Sequence, residues 1–322
     1  MNLFEANNES ILKAAGLIKQ GGLVAFPTET VYGLGADGLN PLAVAKIFEA
    51  KKRPTFNPLI LHIAEKESLH SLVNYDDSRV ESLISKFWPG PLTLVLPKKE
   101  IVPEIVTAGN PTVAVRMPAH KIALELISLS GTPIAAPSAN RFGHLSPTTA
   151  KHVQKYLGDK VDMILDGGKC SVGVESTIVQ YHEGNFYLLR HGGLAKEEIE
   201  KEIGEVKSGK IDISKPNSPG QLPFHYSPNT PLYFYNETFL TPGKKIGIIS
   251  FKEMKNDFPY TSQKILSQEA DLREAASNLF ICLHEMEKED LELILIEPVE
   301  EKGLGRAIMD RLRKATFRHS AE

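Results

Sequence analysis

The stretch 26–62, FPTETVYGLGADGLNPLAVAKIFEAKKRPTFNPLILH, concentrates side chains able to do chemistry. Thr28, Glu29 and Thr30 follow an apolar run. Gly33 and Gly35 come next, residues that take positive φ or let a ligand approach the backbone. Lys51, Lys52 and Arg53 supply cations, Asn57 an amide and His62 an imidazole. Cations at one end with hydroxyls and an imidazole at the other suit a ligand that is anionic at one end and small and polar at the other. Farther along, Arg116 closes the alternating run Thr-Val-Ala-Val-Arg. An arginine flanked by valines on a strand must find a carboxylate, a phosphate or another partner. An internal salt bridge and a ligand clamp both satisfy it. Ser138 and Asn140 end the apolar run 133–137. Ser146 precedes Pro147, where a serine either caps a helix or helps its N-terminus seat an anion.

Short strands and amphipathic helices must carry these groups to one side. Leu23, Val24, Ala25 and Phe26 read as a buried strand that Pro27 stops. Asn40 caps a helix with Pro41 at its first position and Leu42, Ala45, Ile47 and Phe48 as its apolar face. The cations 51–53 leave its end, where they also suit the helix dipole as a solvated terminus. In 58–63, Leu59, Leu61 and Ile63 alternate against Ile60 and His62, so a core-facing first set turns His62 to the cleft. Upstream, Asn8 or Ser10 caps a first helix that Gly21-Gly22 ends. Downstream, a helix over 77–87 and strands over 92–96, 112–116 and 161–165 are expected. Strands 177–181 and 186–190 form a hairpin turning at 183–185. Trp88, the single tryptophan, serves as a packing anchor beside a Pro-Gly turn. DGGKCSVGVEST (166–177) reads as a flexible connection.

The chain has 322 residues, room for two domains, and a net charge of -3 that gives no global attraction to nucleic acid or membrane. Any anion site must therefore be a local cluster. Cys170 and Cys282 offer neither metal-ligand spacing nor a disulfide framework, which fits a reducing cytosol. The start, MNLFEANNES, lacks the basic and apolar regions of a secretory signal, and no apolar run reaches membrane-spanning length. A cytoplasmic location is expected. No GxxxxGK[ST], GxSxG, HExxH or CxxC pattern occurs, so a P-loop, a nucleophile elbow and a zinc site of these kinds are excluded.

PTETVYGLG (27–35) followed by KKRPTFNPL (51–59) resembles the YrdC-like family of threonylcarbamoyl-AMP synthases. The likeness continues through VAVRMPAH (113–120), APSAN (136–140), LSPTTA (145–150), GVESTIV (173–179) and LLRHGG (188–193), covering nearly all of 10–195. SPGQLPFHYSP (218–228) and the C-terminal third resemble the two-domain form of that family. The resemblance implies an α/β fold. A YrdC-like twisted mixed-sheet domain with a concave basic cleft (1–205) is followed by a linker or lid (206–235) and a small Rossmann-like α/β domain (236–322). It implies a nucleotidyltransferase that converts ATP, L-threonine and bicarbonate to L-threonylcarbamoyl-AMP and pyrophosphate. That is the first step of N6-threonylcarbamoyladenosine formation in ANN-decoding tRNAs, with threonylcarbamoyl transfer proteins downstream. Mg²⁺ is expected with ATP, and no prosthetic group.

Residue by residue, the resemblance puts Thr30, His62, Arg116 and Ser176 on the threonine side. It puts Arg53, Asn57, Thr112, Ser138, Ser146 and Arg190 on the ATP side. Lys51 and Asn140 belong to the same polar constellation. Lys51 and Arg53 are the expected catalytic cations, Asn140 falls with the nucleotide, and His225 and Tyr226 are its candidate contacts from the linker. The chain departs from the family pattern at Ala136, where many relatives carry threonine, and at Arg141-Phe142. It also has Gln221, Leu222, Pro223 and Phe224 in place of the common basic linker residues.

Beyond the linker, strands over 245–249 and 291–297 alternate with helices over 268–287 and 304–314. Gly303 and Gly305 lack the third glycine of a dinucleotide fingerprint, so no chemistry is assigned there. Two other functions fit parts of the pattern. A non-catalytic RNA-binding protein would hold a phosphate backbone on the basic face, against the low net charge and the few aromatics near the cations. A carbamoyl transferase using another donor would resemble multidomain relatives whose extra domains are not seen here.

Overall fold

An eleven-stranded mixed sheet frames the first domain. The computed structural model describes residues 2–209, 218–220 and 225–320. In chain order the strands are β1 (Leu3–Glu5), β2 (Val24–Phe26), β3 (Gly33–Asp37), β4 (Ile60–His62), β5 (Leu92–Pro97) and β6 (Thr112–Arg116). Then come β7 (Ile134–Ala135), β8 (Met163–Asp166), β9 (Thr177–His182), β10 (Asn185–Arg190) and β11 (Lys207–Ser208). They lie side by side as β1-β8-β2-β3-β7-β4-β6-β5-β9-β10-β11. The helices of this domain are α1 (Asn8–Lys19), α2 (Pro41–Lys51), α3 (Leu69–Leu72), α4 (Ser78–Phe87), α5 (Glu104–Thr107), α6 (Lys121–Ser130), α7 (Ala150–Leu157) and α8 (Lys196–Ile203). Strand alternation splits the core in two. Val24 and Phe26 pack with α1 and α6, while Ala25 packs in the cluster that holds α2, α4, α7 and α8.

A second sheet has β12 (Leu232–Phe234), β13 (Ile246–Ser250), β14 (Ser262–Ile265) and β15 (Leu293–Ile296) in the order β12-β15-β13-β14, every neighbouring pair parallel. Helices α9 (Leu272–Met286) and α10 (Gly305–Ser320) pack in its core cluster. That cluster also takes in Leu145 and Val174 of the first domain and Tyr226.

Several local expectations need correction. The first helix is capped by Asn7, not Asn8 or Ser10; Ser10 completes the capping box from the third helical position. Gly33 and Gly35 form no turn. They are strand residues of β3, and a Cβ at Gly35 would come within 2.7 Å of both Phe26 and Ile134. Gly35 is small to admit the Phe26 ring, while Gly33 lines a cavity, where a ligand can approach the backbone. The helix after Ser146 starts at Ala150 with Thr149 as its cap, because the preceding backbone is tied across to Tyr32, whose N–H donates to Pro147 O at 2.8 Å. The connection 166–177 is not slack. Cys170, Val172 and Gly173 donate to Thr148, Glu29 and Thr30 carbonyls. The expected linker contributes to both sheets, since β11 pairs with β10 and β12 with β15.

Candidate active site

A cavity of about 560 Å³, counted with its mouth, opens where β3, β4, β6 and β10 meet the end of the linker. Alternation along β4 builds its inner wall: Leu61 packs in the main core, and His62 faces the cavity. The His62 ring meets the Phe26 edge at 6.3 Å between centroids, and its Nδ1 has no hydrogen-bond partner among the described residues. Burial, then the nearby Arg116, push its pKa down to about 3, so the imidazole is neutral.

Arg116, opposite His62 in the β4–β6 register, is 3% exposed. Its Nη2 lies 2.6 Å from Glu29 Oε1, Nη1 donates to Thr30 Oγ1 at 2.9 Å, and Nε donates to Gly90 O at 3.1 Å. The internal salt bridge is therefore present. Two of the five guanidinium N–H groups make hydrogen bonds, and Nη2, ion-paired with Glu29, makes none among the described residues, so N–H groups remain for a ligand. The Thr30 hydroxyl is also 2.8 Å from that of Thr28.

The other end of the cavity holds cations that make no salt bridge among the described residues. Arg53 donates to the carbonyls of Asn57 and Pro58. Arg190 donates to Ser176 and Pro219. Lys51 donates to the carbonyls of Ser138 and Asn140. Exposures are 7%, 6% and 1% for Arg53, Arg190 and Lys51, and none is ion-paired among the described residues. Burial pulls the Arg53 guanidinium down to about 9 and lowers Arg190 too. Burial, with Arg53 beside it, takes Lys51 well below the usual lysine range. Buried unpaired cations are costly, and an anionic ligand relieves that cost.

Thr30, His62, Arg116 and Ser176 share the cavity wall with Arg53, Ser138 and Arg190. His225 and Tyr226 join them, their rings tilted by 59° at 4.1 Å between centroids. Tyr226 has a φ of 63°, a left-handed conformation that a bulky residue rarely takes, beside the site. Five expected residues stand outside the lining. Lys51 lies behind the wall. The Asn140 Oδ1 accepts from Ser138 Oγ, and its amide donates to the Arg141 and His144 carbonyls, so it shapes the loop. Ser146 Oγ donates to Glu175. Asn57 is 1% exposed, its amide without a partner among the described residues. Thr112 is at the far end of β6, about 13 Å along the strand from Arg116. Ala136 lines the cavity and offers no hydroxyl. Gln221, Leu222, Pro223 and Phe224 lie outside the described residues.

Three charged partners were not singled out as site residues from the sequence. Glu29 pairs with Arg116. Glu175 accepts from Ser146 and pairs with Arg311 at 2.8 Å. Burial alone would raise the Glu175 carboxyl, but Arg311 and Arg190 outweigh it and hold it at about 2. Both glutamates sit inside the quoted motifs, where a carboxylate beside buried arginines is a readable signal. Arg311 gives none, since an arginine on an amphipathic helix normally faces solvent. A protein-held magnesium site does not fit. Glu175 is the one carboxylate lining the cavity, both its oxygens are engaged, and no cluster of three metal-ligating side chains exists among the described residues.

A mixed α/β sheet bearing a buried cationic cavity, closed on one side by a smaller parallel α/β unit, defines a two-domain anion-binding protein of the YrdC type. A family profile described as telomere recombination, covering Sua5, YciO and YrdC proteins, matches 16–192, and one described as threonylcarbamoyl-AMP synthase, C-terminal domain, matches 194–316. The threonylcarbamoyl-AMP synthase of Pyrococcus abyssi is 48% identical over 94% of this chain and 93% of its own length; that of Bacillus subtilis is 42% identical over 96% and 93%. The crystal structure of P. abyssi Sua5 complexed with L-threonine superposes with a TM-score of 0.89 at 46% identity, covering 98% of this chain and 96% of that one. Escherichia coli YciO, at 20% identity and a TM-score of 0.51 over 59% of this chain and 93% of its own, shares the fold of the first domain. The chain belongs to the threonylcarbamoyl-AMP synthase family.

Proposed function

We propose that this protein makes L-threonylcarbamoyl-AMP and pyrophosphate from ATP, L-threonine and bicarbonate, supplying the activated group for N6-threonylcarbamoyladenosine in ANN-decoding tRNAs. The observation that carries this is the pairing of two chemistries in one cavity. Arg53 and Arg190, with Lys51 behind them, await an anion, while Arg116, Thr30 and the neutral His62 form a small polar pocket. The relative solved with L-threonine supports the polar end as the amino-acid pocket.

Arg116 receives the threonine carboxylate on N–H groups that make no hydrogen bond within the described residues. Thr30 and the uncharged His62 accept hydrogens from the amine and hydroxyl. The threonine amine and bicarbonate condense to a carbamate with loss of water. A carbamate oxygen then attacks the α-phosphorus in line, the bond to the bridging oxygen breaks, and pyrophosphate leaves. Arg53 and Arg190 offset the charge on the phosphate oxygens, and Ser138 holds their position. Placement and fixed positive charge supply most of the rate. The carbamate and the mixed anhydride hydrolyse readily, so water must be kept out. The wall formed by Pro219, Gly220, His225 and Tyr226 does this from the linker side. Mg²⁺ travels on the nucleotide phosphates, and tRNA threonylcarbamoyl transfer proteins take the product. The site of action is the cytoplasm; among the described residues no helix is long and apolar enough to cross a membrane.

An RNA backbone could not reach cations this deeply buried, which favours the enzyme over an RNA-binding protein. The test is pyrophosphate release from ATP with threonine and bicarbonate present together and each omitted. Release that needs both supports the reading. Salt-sensitive RNA binding with no pyrophosphate release overturns it.

A further inference from the structure

The second domain, to which the motifs assign no chemistry, places a charge against the wall of the cavity. Arg311 on α10 is 1% exposed. Its Nε donates to Glu175 Oε2 at 2.8 Å, its Nη1 to His191 O at 2.9 Å and to Asp310 Oδ2 at 2.7 Å, and its guanidinium lies 5.1 Å from the Tyr226 ring centroid. Three residues on, Lys314 donates to Gly220 O at 2.7 Å. One face of α10 therefore grips Glu175, Tyr226 and Gly220, all in the cavity wall. Glu175 is the only carboxylate among the described residues of that wall, in a site that must accept several negative charges. A bare carboxylate there would repel a polyphosphate strongly, because the surroundings screen poorly.

We propose that Arg311 is a positioning residue for the nucleotide. It compensates the Glu175 charge and keeps that carboxylate turned toward Ser146 and away from the phosphates. This rests on the reading of the cavity as an ATP and threonine site. It gives the second domain a defined task, which is to compensate the one carboxylate among the described residues lining the pocket. Arg190 also favours the Glu175 charge, but its N–H groups go to Ser176 and Pro219, so Arg311 alone of the two bonds and orients the carboxylate.

The experiment is calorimetric binding of α,β-methylene-ATP, with L-threonine in parallel, to the full chain. Arg311→Met is expected to weaken nucleotide binding by about tenfold or more. Threonine affinity should stay within about threefold, because Arg116 has its own partner in Glu29. Adding Glu175→Gln removes the exposed charge, and the double variant should recover nucleotide affinity to within about threefold of wild type. A packing role for Arg311 would leave the double variant as weak as the single. That result, or unchanged nucleotide affinity in Arg311→Met, overturns the proposal. If Arg311→Met fails to fold, the double variant decides alone: near-wild-type nucleotide affinity supports charge compensation, and tenfold weaker binding refutes it. Wild-type protein that binds no nucleotide would refute the function itself before any variant is compared.

Discussion

The ammonium of Lys51 donates to the backbone carbonyl of Asn140, and with its bond to Ser138 O it ties the end of α2 to the loop that presents the Ser138 hydroxyl. Lys51 acts on the cavity through that loop, without lining it. Lys51→Met removes the donors and keeps the stem. It should lower pyrophosphate release about 100-fold through displacement of Ser138, and destabilise the protein by about 1–3 kcal/mol through two unpaired carbonyls. Steady-state kinetics and urea unfolding measure both. Full activity would remove Lys51 from the mechanism.

Arg53 should behave differently, because it is in the wall and has no ion-pair partner among the described residues. Arg53→Met is expected to cost about 10²–10³ in kcat/KM for ATP. Saturating ATP should stabilise the wild type, by about 2.7 kcal/mol at 100 times Kd, and should not stabilise the variant. Equal ATP-induced shifts in melting temperature would contradict this.

Gly35 tests the packing beneath His62. In Gly35→Ala the new methyl meets Phe26 and Ile134 at 2.7 Å, and the Phe26 edge supports the His62 ring. Overpacking here should cost about 1–3 kcal/mol and raise KM for threonine more than KM for ATP. A stable variant with unchanged constants would show that the ring is free to move.

Much of this was readable in advance, for physical reasons. The alternation of Leu59, Leu61 and Ile63 against His62 gave the direction of the imidazole, because period two has only one alternative. The β6 alternation likewise placed Arg116. β3 was not readable, since Gly33 and Gly35 carry no side chain to show a pleat, and glycines suit a positive φ as well as a strand. The cap at Thr149 was missed because two adjacent Ser/Thr-Pro-Thr-Thr positions offer the same local chemistry, and a distant hydrogen bond to Tyr32 chooses between them. The contact of Arg311 with Glu175 spans 136 residues, and no local pattern encodes it.

Acid should unfold the protein through its histidines. Burial pushes His62, His152 and His225 down to about 3 and His284 to about 4. These folded values lie below the unfolded value near 6.5, so the unfolded state takes up protons first and stability falls as pH drops from about 6.5 toward 3–4. Each contributes up to about 2 kcal/mol of loss between pH 7 and pH 5. His284 stacks on His152 at 3.7 Å and bonds Ser146 O. His284→Gln, which retains a donor for that carbonyl, should remove about one such increment from the pH dependence. Urea midpoints at pH 7 and pH 5 would show it, and identical pH slopes for variant and wild type would exclude it.

The two sheets meet along an apolar contact. Leu145 and Val174 from one side, Tyr226 from the connecting segment, and Leu279, Phe280 and Leu312 from the other share a single oily seam. Splitting the chain near residue 205 would strip that seam bare and leave the longer fragment prone to clump. Opening along that seam would wet it, whereas a local movement around Gly220 and Tyr226 would admit substrates and keep it dry.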